Sequence, residues 1–432
     1  MDHPSTEKIH KLFLSHPVIS TDSRLVPEGC LFFALKGDHF NGNAFAEKSL
    51  DAGAAFAIVD ENEFAKDERF ILVDNVLKTL QELAHYHRKQ FHIPVLAITG
   101  TNGKTTTKEL VHAVLSTNYN ILATSGNLNN HIGVPLTLLK ITKDTKIAII
   151  EMGANHPGEI DLLCRIADPD LGMITNIGKA HLEGFGGFQG VINTKTELYR
   201  YLKTKNGKVF LNTDHPALVE HAAGLETITY GTIHDAYVRG SEIIADPFLK
   251  IKITIGEQNF SVQSKLFGRH NAENILAAAC IGDFFTVFDN NIKSAIETYT
   301  PDNNRSQVKK TEKNLLILDA YNANPGSMVL AIRNFATLPG DNKTVILGDM
   351  LELGNESEEE HRNILEILKE TGISSVYLVG PEFLKVNKKR EWYCFEDADL
   401  ALLWFEHHEL KNSTILVKGS RGIGLEKISS IL

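Results

Sequence analysis

A glycine-rich loop with one lysine and several threonines is the part of the sequence best suited to chemistry. It follows an apolar, partly β-branched run, Val95–Thr99, and precedes a helical stripe over residues 105–115. Glycines let the backbone curl so that its N–H groups face a phosphate chain, and the following helix adds the positive end of its dipole. The sequence therefore predicts nucleotide phosphate binding. The residues assigned to it are Gly100, Thr101, Asn102, Gly103, Lys104, Thr105 and Thr106.

Within this loop, Lys104 is expected to reach the β- and γ-phosphates, and Thr105 to offer its hydroxyl to Mg²⁺. The loop departs from the standard pattern G-x-x-x-x-G-K-[ST], because Ile98 stands where the first glycine would be. The alternative is a chance Gly-Lys-Thr triplet in an ordinary loop. The strand–loop–helix context favours the phosphate site.

Strands that alternate with helices predict an α/β fold around this loop. The pattern of apolar runs and turn-forming residues divides the chain into three segments. They are residues 1–90, residues 91–300 with the glycine-rich loop, and residues 301–432, which begin with a turn-rich stretch. We expect a parallel sheet in the second segment and a Rossmann-like alternation in the third. A helix predicted over residues 357–369 is expected to start with a capping box between Ser357 and Glu360. Apolar runs expected to be buried strands are 95–99, 146–152, 171–175, 209–211, 315–318, 345–347, 376–379 and 415–417.

Composition limits the classes of protein to consider. The 432 residues carry a net charge of −10, with 43% hydrophobic and 23% charged residues, which are ordinary globular values and suit about three domains. The acidic balance argues against a nucleic-acid binder. The four cysteines form no C-x-x-C pair, and no apolar stretch is long enough for a signal peptide or a membrane span. We therefore expect a cytoplasmic protein with neither a nucleic-acid nor a membrane partner.

The loop sequence TGTNGKTT resembles the ATP loop of the Mur ligase family, which includes folylpolyglutamate synthetases. Members of that family join a carboxylate to an amine at the expense of ATP. Further strings are similar to the family in order over nearly the whole chain. They are EMGANHPGEI (151–160), TNIGKAHLEGFG (175–186), DAYNANPGSM (319–328), GDMLELG (348–354) and VKGSRG (417–422).

The resemblance implies a ligase that adds D-alanyl-D-alanine to UDP-N-acetylmuramoyl-tripeptide and so makes the UDP-linked pentapeptide of peptidoglycan. ATP with Mg²⁺ would convert the carboxylate to an acyl phosphate, so the site needs cations more than a nucleophilic side chain. The implied architecture is a small N-terminal α/β UDP-binding domain, a central P-loop ATPase domain with a parallel sheet and a C-terminal Rossmann-like domain, in a monomer. The alternatives are another amide ligase of the family and a nucleotide-binding scaffold that has lost catalysis.

The metal ligands implied by the resemblance are Thr105, Glu151 and His181. Glu151 ends a predicted strand, at the sheet edge where ligands bind in open α/β sheets. The structural alternative for Glu151 is a partly exposed strand-end carboxylate. His181 rests on the resemblance alone, because Mg²⁺ prefers oxygen ligands, and its alternative is a surface histidine.

The catalytic residues implied by the resemblance are Lys104, Glu151, His181 and Lys195. The lysine that matches Lys195 in the family is commonly carbamylated, which turns a cation into an anionic metal-binding group. The family more often has alanine where this chain has Thr194. The alternative is a helix-surface lysine paired with Glu197.

Four further residues are assigned to ATP by resemblance. Asn271 would contact the adenine, Arg305 the phosphates and Asp319 the ribose hydroxyls, while Asn322 would line the same edge. Residues 271–274 begin a predicted helix, so a helix cap is the alternative, most of all for Asn274.

The substrate-binding residues implied by the resemblance are Ser23, Arg24 and Asn324. The guanidinium of Arg24 suits a diphosphate because it can form paired charged hydrogen bonds. The alternative for the first two is a turn with a surface arginine. Asp349 and Lys418 match family positions without an assigned role.

Overall fold

The computed structural model describes residues 3–179, 182–302, 304–373, 375–388 and 391–432. The chain forms two compact units. The first comprises Met1–Ile98, Tyr119–Ala154 and Gly158–Gly172, and the second comprises Thr99–Asn118, Asn155–Pro157 and Met173–Leu432. None of the helices in the described ranges is long and apolar enough to cross a membrane.

The N-terminal part of the chain forms a small parallel sheet of four strands, which lie side by side in the order Ile19–Ser20, Leu31–Phe33, Phe56–Val59 and Phe70–Leu72. Its core contains the buried side chains of Cys30, Phe32 and Val59, which come from the apolar runs of the first segment. Its elements are α1 (Thr6–Ser15), β1 (Ile19–Ser20), β2 (Leu31–Phe33), β3 (Lys36–Gly37), β4 (Phe40–Asn41), α2 (Ala46–Asp51), β5 (Phe56–Val59), β6 (Phe70–Leu72) and α3 (Val76–Lys89).

The next part contains the predicted strands on either side of the glycine-rich loop. Its elements are β7 (Val95–Thr99), α4 (Lys104–Leu115), β8 (Ile121–Ala123), α5 (Gly133–Leu138), β9 (Ile147–Glu151), α6 (Glu159–Ala167) and β10 (Leu171–Ile174). Strands β7, β9 and β8 are parallel and adjacent in that order. Ile98, near the end of β7, pairs with Glu151, the last residue of β9.

Residues 182–298 contain an antiparallel addition that helix–strand alternation did not predict. The elements are α7 (Leu182–Phe185), α8 (Phe188–Lys195), α9 (Glu197–Thr204), β11 (Lys208–Asn212), α10 (Pro216–His221), β12 (Glu226–Gly231), β13 (Val238–Ala245), β14 (Phe248–Ile255), β15 (Gln258–Phe267), α11 (Asn271–Phe284) and α12 (Asp289–Thr298). Strands β11, β12 and β13 are parallel, whereas β13, β14 and β15 are antiparallel. In β14, buried residues alternate with more exposed ones, which is typical of a sheet covered on one face.

The last part of the chain is a six-stranded sheet with helices between its strands. The elements are β16 (Gln307–Lys310), β17 (Leu315–Leu318), α13 (Pro325–Ala336), β18 (Lys343–Gly348), α14 (Ser357–Thr371), β19 (Ser375–Val379), α15 (Pro381–Val386), β20 (Tyr393–Phe395), α16 (Ala398–His407), β21 (Thr414–Lys418) and α17 (Glu426–Ser429). The order is β16-β17-β21-β18-β19-β20, and β16 alone is antiparallel to its neighbour. The α/β class, with three successive sheet-forming parts, is confirmed.

The predicted capping box at Ser357 is wrong. A 3-10 turn, Gly354–Glu356, runs directly into α14, so Glu356 is the N-cap and Ser357 is already helical. The Ser357 hydroxyl instead donates to Glu382 Oε2 over 2.8 Å. The structure has a capping box at α13, between Asn324 and Ser327.

Candidate functional site

The glycine-rich loop leads directly into the N-terminus of α4. Gly103 is the N-cap, and its φ of 78° lies in the left-handed region that glycine adopts without strain. The first hydrogen bond of the helix runs from Thr107 N to Gly103 O. The N–H groups of residues 104–106 precede that bond and lie at the positive end of the helix dipole, which is the arrangement that binds an anion.

Residues 175–178 hold this loop in place. Asn176 accepts from Thr101 N with its backbone oxygen and from Asn102 N with Oδ1, while its Nδ2 donates to Asn102 O. The Thr175 hydroxyl donates to Asn102 O over 2.6 Å, and Gly178 N donates to Thr101 Oγ1 over 3.0 Å. The loop conformation is thus fixed by hydrogen bonds from a second segment of the chain.

Gly100 allows this second segment to approach. A Cβ at position 100 would lie 2.0 Å from Thr175 Oγ1, and the φ of Gly100 is 142°. A side chain at this position would therefore collide with the group that holds the loop.

Lys104 lies over its own loop. Its Nζ donates to Gly100 O over 2.7 Å and to Thr101 O over 3.1 Å. Phosphate oxygens carry full charge, so they would be stronger acceptors for this ammonium group than the two carbonyls. Thr105 and Thr106 are buried in the first turn of α4.

Glu151 is the last residue of β9, and the structural alternative of a partly exposed carboxylate is wrong, because the residue is only 1% exposed. Its backbone N–H donates to Thr124 Oγ1 over 2.9 Å. Asn129 Nδ2 donates to Glu151 Oε1 over 2.8 Å. The loop 127–135 resembles a substrate-side loop of the family, but its contact with Glu151 through Asn129 was not predicted, because a contact across 22 residues leaves no local pattern.

Lys195 ends α8 and is 3% exposed, so the alternative of a helix-surface lysine is wrong. Its Nζ lies 5.4 Å from the centre of the Phe185 ring. Burial disfavours the charged form of a lysine. His181, which was expected to bind metal, lies outside the described residues.

Asp319 and Lys418 form an ion pair beside the segment that carries Arg305. The Nζ–Oδ2 distance is 2.6 Å, and Asp319 Oδ1 accepts from Ser306 N over 3.1 Å. The Arg305 guanidinium stacks 3.8 Å from the centre of the Tyr321 ring. These contacts bring two predicted nucleotide residues, Arg305 and Asp319, into the same neighbourhood as Lys418.

Asn271 and Asn274 lie in the first turn of α11, and neither caps it, because the N-cap is His270. Asn271 Nδ2 donates to Phe267 O and Ser306 Oγ, and its Oδ1 accepts from Asn274 Nδ2. Asn274 Oδ1 in turn accepts from the Thr107 hydroxyl of α4. The amide of Asn271, predicted to read adenine, is therefore already engaged in internal hydrogen bonds.

Asn324, which was expected to contact substrate, is the N-cap of α13 and bonds to the phosphate loop. Its Oδ1 accepts from Ser327 N over 2.9 Å, and its Nδ2 donates to Asn102 Oδ1 over 2.7 Å. Asn322 is exposed, and its Oδ1 accepts from Ala323 N. The structure thus brings Asn102 and Asn324 together across 222 residues.

Ser23 and Arg24 lie in a turn of the N-terminal part. Arg24 is 86% exposed and pairs with Asp22 at 2.7 Å. The hydrogen bonds from Arg24 lower the pKa of Asp22 to about 2. The guanidinium is therefore at the surface, where a solute can reach it.

The side chain of Asp349 binds the backbone of a neighbouring helix. Its fully buried carboxylate accepts from Glu382 N and Phe383 N at the start of α15. Burial raises the pKa of Asp349. His361 lies 3.6 Å away, but its Nε2 accepts from Met350 N while its Nδ1 donates to Ser357 O, so these bonds fit a neutral imidazole.

Three family models match successive parts of the chain. The Mur ligase family catalytic domain matches residues 17–88, the Mur ligase middle domain residues 98–282, and the Mur ligase glutamate ligase domain residues 304–421.

Known proteins are similar over nearly the whole length. The UDP-N-acetylmuramoyl-tripeptide–D-alanyl-D-alanine ligase of Bacillus subtilis is 36% identical, over 95% of this chain and 92% of its own. The crystal structure of MurF from Acinetobacter baumannii has a TM-score of 0.87 and 30% identity, over 95% of this chain and 92% of its own. That of the MurF ligase from Thermotoga maritima in complex with ADP has a TM-score of 0.85 and 27% identity, over 96% of both chains.

Proposed function

The chain belongs to the Mur ligase family, and we propose that it is the ATP-dependent ligase that joins D-alanyl-D-alanine to UDP-N-acetylmuramoyl-tripeptide. The product is the UDP-linked pentapeptide used for peptidoglycan. The observation that carries the proposal is the 36% identity to the Bacillus subtilis ligase over 95% of this chain. The phosphate loop held by residues 175–178 supplies a physical site for the ATP that such a ligase consumes.

Phosphoryl transfer from ATP to the terminal carboxylate of the tripeptide forms an acyl phosphate and releases ADP. The amine of D-alanyl-D-alanine then attacks the acyl carbon, and phosphate leaves. Lys104 and the N–H groups at the start of α4 hold the negative charge of the phosphate chain and stabilise the charge that develops during transfer.

The residues of this chain fit a magnesium ion by the chemistry of their donor atoms. Thr105 offers a hydroxyl in the first turn of α4, and Glu151 offers a buried carboxylate at the end of β9, both oxygen donors of the kind Mg²⁺ prefers. We assign these two residues and His181 as ligands. When bound, the ion supplies positive charge to the phosphate oxygens.

Lys195 belongs to the catalytic set as a carbamylated lysine. Carbon dioxide would add to the amine of Lys195, which is 3% exposed, to form a carbamate with release of a proton. The carbamate then presents oxygens in place of an ammonium group.

The domain roles follow the order of the chain. Residues 1–90 bind the UDP end of the substrate with Ser23 and Arg24, and residues 91–300 hold MgATP. Residues 301–432 contribute Arg305, Asp319 and Asn322 to the nucleotide, with Asn324 next to the substrate. We assign the activity to the cytoplasm, where ATP is available, and expect a monomer.

The experiment is a substrate panel read by ATP-dependent phosphate release. Purified protein is given UDP-N-acetylmuramoyl-tripeptide with D-alanyl-D-alanine, and separately with single amino acids. We expect release with the dipeptide alone. Release driven by another amine, or by glutamate with a folate acceptor, would assign the chain to another amide ligase of the family. Nucleotide binding without release in any combination would indicate a scaffold that has lost catalysis.

A further inference from the structure

The geometry around the end of β9 points to Asn129 as a positioning residue that acts through Glu151 and sets the affinity of the site for its divalent cation. The inference rests on the proposed function, because it takes Glu151 as a ligand of that cation. It adds a residue that is not among those assigned to ATP or to catalysis.

Two hydrogen bonds fix Asn129 against the end of β9. Its side-chain Nδ2 donates to Glu151 Oε1, and its backbone oxygen accepts from Gly153 N, with a donor–acceptor distance of 2.8 Å in each bond. A Cβ at position 153 would lie 2.9 Å from Asn129 Oδ1, so glycine permits this approach. Asn129 is therefore held by both its backbone and its side chain.

A side-chain amide suits position 129 because it offers an N–H donor without carrying a charge. A carboxylate that is to bind a cation must keep one orientation, and an N–H donor to one of its oxygens holds that orientation. Thr124 holds the Glu151 backbone, whereas the bond from Asn129 acts on the side chain itself. An aspartate at position 129 would place a second negative charge beside Glu151 and remove the donor.

The neighbouring asparagine provides a matched control. Asn130 Oδ1 accepts from Ile132 N and Gly133 N, at the start of α5. Asn129 and Asn130 thus lie in one loop and differ in what their side chains bind. Replacing either by alanine removes the same atoms from the same segment.

The test compares Asn129→Ala, Asn129→Asp and Asn130→Ala with the wild type. Binding of Mn²⁺ in the presence of a non-hydrolysable ATP analogue is followed by electron paramagnetic resonance, and thermal unfolding checks that each variant is folded. The half-saturating Mg²⁺ concentration for phosphate release is measured in parallel. We expect both Asn129 variants to bind Mn²⁺ about 10- to 100-fold more weakly, with Asn129→Asp the weaker, and to need correspondingly more Mg²⁺. Asn130→Ala should bind Mn²⁺ like the wild type.

Wild-type Mn²⁺ affinity in a folded Asn129→Ala variant would overturn the inference. So would an equal loss in Asn130→Ala, because the effect would then belong to the loop as a whole. The proposed function fails in a different way: the wild type would release no phosphate with the dipeptide, while the Mn²⁺ measurement could still separate the two asparagines.

Discussion

The close approach of Gly100 to Thr175 predicts that one added methyl group will weaken nucleotide binding. In Gly100→Ala the new Cβ would lie 2.0 Å from Thr175 Oγ1 and 3.0 Å from Thr175 N, at a φ of 142° that side chains rarely adopt. The loop must therefore move. The first contact it loses is the hydrogen bond from the Thr175 hydroxyl to Asn102 O.

The expected loss of nucleotide affinity follows from two effects, the lost hydrogen bond and the unfavourable backbone conformation of the new alanine. The lost hydrogen bond contributes about 1 kcal/mol. Holding a non-glycine residue in this backbone conformation costs about 1–3 kcal/mol. The loop must return to its wild-type conformation before the phosphate chain can bind. The lost hydrogen bond and the strained backbone therefore both raise the dissociation constant. The sum of about 2–4 kcal/mol corresponds to about 30- to 1,000-fold weaker binding.

Isothermal titration calorimetry with a non-hydrolysable ATP analogue measures this loss, and thermal unfolding verifies that the variant is folded. Gly178→Ala is the matched control, because its Cβ would meet Thr101 at an ordinary 3.7 Å, and it should bind within about twofold of the wild type. The Gly100→Ala loss should be smaller in a Thr175→Ala background, since the closest clash is then absent. A folded Gly100→Ala protein with wild-type affinity would refute the reasoning.

Three further outcomes are expected. Lys104→Ala should lower turnover at least about 10²- to 10³-fold in phosphate release, through lost stabilisation of the transferring phosphoryl group, and near-normal turnover would contradict that role. Lys195→Arg should lower the rate of phosphate release about 10²-fold or more, because a guanidinium cannot carry a carbamate. Lys203→Arg, at an exposed position, should release phosphate at the wild-type rate. Equal rates in the two variants would remove Lys195 from the catalytic set. Glu273 raises the pKa of His215 above its usual 6.5, so the pair stabilises the fold below about pH 6.5 and less as the pH rises through the raised value. The melting temperature of Glu273→Gln should therefore fall furthest below the wild type near pH 6 and approach it near pH 9, and a pH-independent difference would count against the ion pair.

Local patterns were enough to predict the strand and the helix on either side of the glycine-rich loop. Strand β7 and helix α4 lie within a residue of their predicted bounds, because a buried strand and an amphipathic helix each mark their own segment. The antiparallel strands β13 to β15 went unpredicted, although the alternating sequence of β14 carries a period of two. The helix–strand alternation that predicts parallel strands elsewhere in the segment does not extend to these three strands.

The partners of the site residues could not be read from the sequence. Asn129 reaches Glu151 across 22 residues, and Asn324 reaches Asn102 across 222. Neither pair has a spacing that a helix or a strand would impose. Burial was missed for the same reason: Glu151 and Lys195 carry charges that favour exposure, and only the surrounding fold covers them.

Asn176 uses three different groups to hold two consecutive residues of the phosphate loop. Aspartate has no donor to replace its Nδ2, glutamine is one methylene too long for the same reach, and alanine keeps only the backbone contact. Of these four residues, asparagine alone keeps all three contacts with the loop. A residue that only supports the loop can thus be as intolerant of change as one assigned to ATP.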